Sequence, residues 1–263
     1  MTAHLTQAII EQDPFASDVA ARMGKSALPE LAQLAKHEHP SVRMDAIRAA
    51  GRLDIGDYYE LVFGALDDDD INVVHTSLGI IEQAKTQLSN QILLGVLNKL
   101  KYADTKACVI LMLGETLSIN EADALEHYCT IDQGETIALH AVVALAKIGV
   151  EHRRHQFSSY LLSIKHNPEL FKLLFSFIDY INQSWLLSPL KQLLANKTLL
   201  QSLSASLPNM PRHIRVCDRA VCSIAMIANK AMSFEAQTFT NFSEQQLAEA
   251  HRIASYFPSN KQH

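Results

Sequence analysis

The sequence predicts an all-α fold of about six to seven antiparallel helix pairs stacked with a period of about 32 residues. Three observations predict it. Gly and Pro are scarce, 9 and 8 among 263 residues. Apolar residues recur at i, i+3 and i+4, as in Tyr58, Leu61, Val62, Ala65 and Leu66, or Ile92, Leu93, Val96, Leu97 and Leu100. No stretch sustains the period-two alternation of a strand, so few or no strands are expected.

A repeat adds to these observations. A step of 32 residues carries Leu61 to Leu93, Leu125 and Phe157, and Ala65 to Leu97, Cys129 and Leu161. The same step carries Leu78 to Ile110, Val142 and Leu174, and Ile81 to Leu113, Leu145 and Phe177. Each period holds two helix-length pieces. The first pieces are 57–67, 89–101, 121–130 and 152–165, and the second are 71–85, 105–117, 135–148 and 168–181. An earlier pair, 29–37 and 41–53, joins at a step of 31: Leu31 to Val62, Val42 to Val73, Ile47 to Leu78. Pro40 and Pro168 sit where a first helical residue tolerates Pro, with Asn167 as a cap; Asp70, Asp104 and Asn120 are further expected caps. A two-helix unit cannot bury its own apolar face, and stacking gives it a shared core. The chain is therefore read as one repeat domain, 1–263. Residues 1–27 cap its N-terminus and 28–181 are regular. Residues 182–263 are degenerate, interrupted by Pro189, Pro208 and Pro211 and closed by a helix from Ser243 with Gln246 as its capping-box partner.

The segment from His39 to Leu53, HPSVRMDAIRAAGRL, resembles the second helix of a short bacterial HEAT repeat, with Pro, then Val-Arg, then small residues running to Gly. Later units keep the apolar skeleton and lose the Arg: DINVVHTSLG from Asp70, DTKACVILMLG from Asp104 and ETIALHAVVALA from Glu135. A degenerate return appears in IRVCDRAVCSI from Ile214. The resemblance covers residues 28–181 well and 184–230 poorly. It implies a right-handed α-solenoid, a fold that many functions share.

Composition narrows the function. With 48% hydrophobic and 19% charged residues the chain is too apolar for disorder. Its N-terminus, MTAHLTQAIIEQDPF, lacks the basic and apolar regions of a secretory signal. The longest clean apolar stretch, Ala107 to Leu113, is far short of the ~20 residues a bilayer span needs. A soluble cytoplasmic protein without membrane association is expected. Cys108, Cys129, Cys217 and Cys222 show no Cys-x-x-Cys spacing and read as small buried apolar residues. The net charge of −5 is unevenly divided. Residues 1–150 hold 11 Lys+Arg and 21 Asp+Glu, a balance of −10; residues 151–263 hold 12 and 7, a balance of +5. An acidic half suits a basic partner and argues against nucleic acid, which needs Lys and Arg along the whole groove.

The sharpest local feature is Asp67-Asp68-Asp69-Asp70. It reads equally as a solvated turn in which Asp70 caps the next helix, or as an acidic rim for a basic protein, extended by Asp57, Glu60 and Asp104. A calcium loop would need a Gly bend, which is missing. His37, His39, His152 and His155 lack a placeable third ligand, so no metal site is assigned. Arg212, Arg215 and Arg219 form a secondary basic patch, in which Arg215 and Asp218 read as a local helical ion pair worth a few tenths of a kcal/mol. Trp185, among Leu186, Leu187 and Leu190, reads as core. No nucleophile elbow or Gly-rich phosphate loop is present, so no catalytic residue or cofactor is assigned.

The expected function is therefore non-catalytic: a surface binding a basic protein, such as an immunity or adaptor protein that sequesters a toxin or enzyme. The alternatives are a HEAT-like enzyme resembling the phycobilin lyases or the alkylpurine DNA glycosylases, and a structural subunit of a complex. The glycosylase reading expects a basic groove, whereas Arg43, Arg48 and Arg52 decorate the first clear unit alone.

Overall fold

The computed structural model of the protein describes residues 2–164, 167–202 and 213–257. About three quarters of them are helical, in an arrangement compatible with an α-solenoid. The chain forms two compact units, Met1–Ala144 and Leu145–His263. The N-terminal unit contains α1 (Thr2–Ile10), α2 (Ala16–Met23), α3 (Leu28–Leu34), α4 (Pro40–Ala50), α5 (Ile55–Gly64), α6 (Ile71–Ala84), α7 (Asn90–Lys99), α8 (Ala103–Thr116) and the short α9 (Asp123–Glu126). The boundary falls within α10 (Glu135–Ile148). The C-terminal unit contains α11 (Glu151–Ser163), α12 (Pro168–Ile181), α13 (Leu187–Leu193), strands β1 (Leu199–Ser202) and β2 (His213–Arg215), α14 (Val216–Ala228) and α15 (Glu244–Ser255).

In the N-terminal unit α4 packs on α6 and α6 on α8, while α3 covers α4, α5 covers α6 and α7 covers α8. The repeating apolar columns explain this order. Leu78, Ile110, Ile81 and Leu113 are all buried, as are Val42, Ile47 and Val73 one step earlier. Columns of the first helices are less uniform: Leu93, Leu125 and Leu97 are buried, whereas Leu61, Ala65 and Cys129 are half-buried. The second helices begin at Pro40, Ile71, Ala103, Glu135 and Pro168, steps of 31, 32, 32 and 33 residues. Gly51 caps the end of α4 beside α6; a Cβ there would lie 2.8 Å from the Ile80 side chain.

Helix starts follow local chemistry. Asp70 accepts from the Asn72 amide at 2.8 Å, Asn167 accepts from Leu170 at 3.1 Å, and Ser243 and Gln246 form a reciprocal capping box. Pro40 and Pro168 each open a helix. Two expected caps are corrected. Asp104 is the second residue of α8, behind Tyr102 at the cap position, and Ser118 rather than Asn120 caps the next turn, paired with Glu121. The helix expected over 121–130 is also broken. The Ser118–Glu121 box starts a 3-10 turn, α9 follows, and a second 3-10 turn stops at Thr130, whose backbone is extended. Leu125 and Tyr128 remain buried, and the Tyr128 hydroxyl donates to Asn98 at 3.0 Å.

In the C-terminal unit α13 packs on α11, α14 and α15, and α12 packs on α14 and β1. Phe157, Phe171 and Phe175 are its largest fully buried side chains. Trp185 is half-buried rather than core: its ring and that of Phe157 meet edge to face with centroids 6.2 Å apart, and its indole N–H donates to Gln183 at 2.8 Å. Arg154 donates to the same Gln183 oxygen and to the Ala146 carbonyl. Asn182 and Asn229, both at φ near +45°, end α12 and α14 in the left-handed conformation that Asn tolerates. The two strands pair antiparallel, with Leu199 opposite Arg215. Pro208 and Pro211, expected to interrupt the repeat, lie outside the described residues. Cys217 and Cys222 are buried as expected; Cys129 is half-buried and Cys108 is exposed.

Arg215 and Asp218 are not the surface pair that their spacing suggests. Asp218 is 1% exposed and accepts from five nitrogen donors, with the Cys217 thiol 4.0 Å away as a weak sixth. Arg215 contributes Nε at 2.9 Å, Nη2 at 2.7 Å and its amide at 3.0 Å, while Asn241 Nδ2 and the Phe242 amide reach it at 2.7 and 3.0 Å. Arg215 also donates to the Phe242 carbonyl at 2.9 Å. The chain leaving α14 thus returns to the start of that helix before α15 begins. Burial alone would push the Asp218 carboxyl up, but the bonds from Arg215, Phe242 and Asn241 overcome it and hold the carboxyl below the usual carboxylate range. Asp218→Ala should cost about 3 kcal/mol at neutral pH, because it strands Arg215 and two further donors. A depressed folded value places that contribution above the unfolded-chain pKa of about 3.9. Urea unfolding of both proteins should therefore show the gap shrinking as pH falls below about 4.

Candidate functional site

The acidic turn is built by the end of α5. Leu66 is buried and anchors a 3-10 turn over Ala65–Asp67; Asp68 then adopts an extended backbone that brings Asp70 to the cap of α6. The four carboxylates divide into two kinds. Asp68 faces inward, with 11% of its side chain exposed, and takes a bidentate pair from Arg43 on α4, Nε and Nη2 each at 2.7 Å. It also accepts from the Asp70 amide at 2.8 Å. Arg43 spends its remaining nitrogen on the carbonyls of His37 and Glu38, at 2.9 and 3.1 Å. The bond from Arg43 holds the Asp68 carboxyl below its usual range, and Asp68 in turn raises Arg43. Asp70 caps α6.

The following hairpin holds the same turn from its other side. Lys101 Nζ donates to the Asp67 carbonyl at 3.1 Å and the Tyr102 hydroxyl to the Asp69 carbonyl at 3.4 Å. These contacts use backbone oxygens. The carboxylates of Asp67 and Asp69 are left exposed, without a hydrogen bond or ion pair among the described residues. Glu60 on α5 and Asp104 on α8 are also exposed and unpaired among the described residues. Asp57 lies on α5, but its side chain is outside the described residues. Ile71 and Tyr102, each 37% exposed, put apolar surface beside the rim.

A groove of about 460 Å³ lies between α5 and α7. Tyr59 and Phe63, stacked with ring centroids 4.3 Å apart, line it together with Glu60, Asp67, Gly95 and Lys99. Glu60 and Asp67 were legible as acidic residues; the aromatic pair and Gly95 were not singled out. The repeat held the signal, since the 32-residue step carries Phe63 to Gly95 and Asp67 to Lys99.

The secondary basic patch is differently disposed. Arg215 is committed to Asp218, and Arg219 pairs with Asp179 of α12. Burial outweighs the Arg219 charge and pushes the Asp179 carboxyl up. Arg212 lies outside the described residues. His37 and His39 have ring centroids 5.4 Å apart, and His155 lies 3.6 Å from Glu151. Among the described residues no group of three or more His, Cys, Asp and Glu could hold a metal ion, and no helix is long and apolar enough to cross a membrane.

The charge split follows the units. The N-terminal unit holds 10 Lys and Arg against 21 Asp and Glu, a balance of −11; the C-terminal unit holds 13 against 7, a balance of +6. The two kinds of Asp should separate by mutation. Arg43→Ala should destabilise the protein by about 1.5–3 kcal/mol in urea unfolding, the range for hydrogen bonds to charged groups. Asp67→Asn and Asp69→Asn should each stay within about 0.5 kcal/mol of the wild type.

No family model matches the chain, and no curated protein matches it.

Proposed function

We propose that the protein is a non-catalytic binding protein of HEAT-like, right-handed α-solenoid type, and that the acidic rim of its N-terminal unit holds a basic protein partner. The observation that carries this reading is the division of the Asp67–Asp70 turn. Asp68 and Asp70 are consumed by the fold, while Asp67 and Asp69 stand exposed and unpaired among the described residues, with Glu60 and Asp104 on neighbouring helices. Exposed carboxylates in a unit of charge −11 repel one another and contribute nothing visible to its packing. A cationic partner would relieve that repulsion, and the exposed Ile71 and Tyr102 would add apolar contact beside it. An adaptor or immunity protein that sequesters a toxin or enzyme in the cytoplasm is the concrete form of this reading.

The test is the ionic-strength dependence of association with the protein captured from native lysate. Complementary charge raises the association rate more than it slows dissociation. Raising salt from about 0.05 M to about 0.5 M should slow association by at least roughly tenfold. The double substitution Asp67→Asn, Asp69→Asn should slow it at low salt while leaving the melting temperature unchanged. An association rate indifferent to both salt and this variant contradicts the proposal.

A further inference from the structure

We infer that the groove between α5 and α7 is the anchoring pocket of the rim, and that it takes one Lys or Arg side chain from an extended basic segment of the partner. The inference rests on the reading that the N-terminal unit binds a basic protein, and adds where and how that protein is gripped. Tyr59 and Phe63 stand one helical turn apart on α5 and stack with their planes 30° apart, so their paired rings form one wall. The cation–π contacts described involve other rings, which leaves these ring faces without a cation among the described residues. Gly95 of α7 also lines the groove, and an added Cβ there would meet nothing within 4 Å, so a longer side chain at this position would extend into open groove space.

The polar groups at this groove favour a cation. Glu60 and Asp67 line it with exposed carboxylates, and Lys99 is the single cation among its lining residues. An aliphatic stem laid along the Tyr59–Phe63 wall would bury apolar surface on both sides and bring its charged end to Glu60 and Asp67. Lys99 would repel that charged end and donate a hydrogen bond to a backbone carbonyl of the same segment, which orients it. A partner anion meets two carboxylates against one ammonium, and a wholly apolar side chain leaves the carboxylates unanswered.

The test uses the full chain and a short fluorescein-labelled Arg–Ser peptide, followed by anisotropy at low salt, with the same peptide carrying citrulline for arginine as the neutral control. Wild type should bind the Arg peptide and ignore the citrulline one. Gly95→Leu fills the groove without altering any charge and should weaken binding roughly tenfold or more, with the melting temperature preserved. Glu60→Gln should weaken it several-fold, and Asp123→Asn, an exposed acid on α9 outside both the rim and the groove lining, should leave it within about twofold. Equal binding of the Arg peptide by wild type and Gly95→Leu overturns the pocket, as does failure of the wild type to bind that peptide. In either case, continued salt-dependent association of the captured protein leaves the acidic-rim reading standing. Loss of that salt dependence while the peptide still binds in the groove would separate the two the other way.

Discussion

A carboxylate shared between consecutive hairpins sets the register of the N-terminal unit. Asp68 belongs to the turn before α6, but the guanidinium that satisfies it comes from α4, and that guanidinium also gathers the carbonyls of the turn before its own helix. Apolar columns alone press α4, α6 and α8 together without saying where one helix end must stand beside the next, because hydrophobic contact is not directional. A bidentate Arg–carboxylate pair is directional and specifies that position. Lys101 and Tyr102 repeat the device one hairpin later with backbone oxygens as acceptors.

Asp218 does comparable work in the C-terminal unit. Its five nitrogen donors come from Arg215, Asn241 and Phe242, so one carboxylate ties the start of α14 to the end of the chain segment that follows that helix. In both units the buried acid is valuable because its acceptor positions are filled; an unfilled one would cost more than an apolar residue in its place. The consequence for function is a sorting of charge. Acids and bases with structural tasks face each other inside, as in Arg219 with Asp179. What remains outside on the N-terminal unit is mostly negative, and it includes Asp67 and Asp69 of the turn that Asp68 positions.

The helices were legible from the sequence where burial and local hydrogen bonding coincide. Leu78, Ile110, Ile81 and Leu113 occupy one face at helical spacing, and Asp70, Asn167 and Ser243 announce helix starts by chemistry confined to a few residues. Features that depend on distant residues were not legible. Arg215 and Asp218 read as an exposed i, i+3 pair because nothing nearby reveals that Asn241 and Phe242 return to cover them. Asp67 and Asp68 look identical in a run of four; Arg43, 25 residues upstream of Asp68, decides which is structural. The break at 119–129 was missed because its apolar spacing is helical, while the Ser118–Glu121 box favours a tighter turn. The groove beside α5 escaped notice because it depends on a residue type that leaves space, Gly95, rather than on one that fills it.

The most direct test of this account is a double-mutant cycle in urea with Arg43→Ala, Asp68→Asn and the pair together. A shared, directional contact predicts a coupling energy of about 1.5 kcal/mol or more, because either single change removes the same interaction. Additive effects, with a coupling within about 0.3 kcal/mol of zero, would contradict the claim that this carboxylate positions the acidic turn.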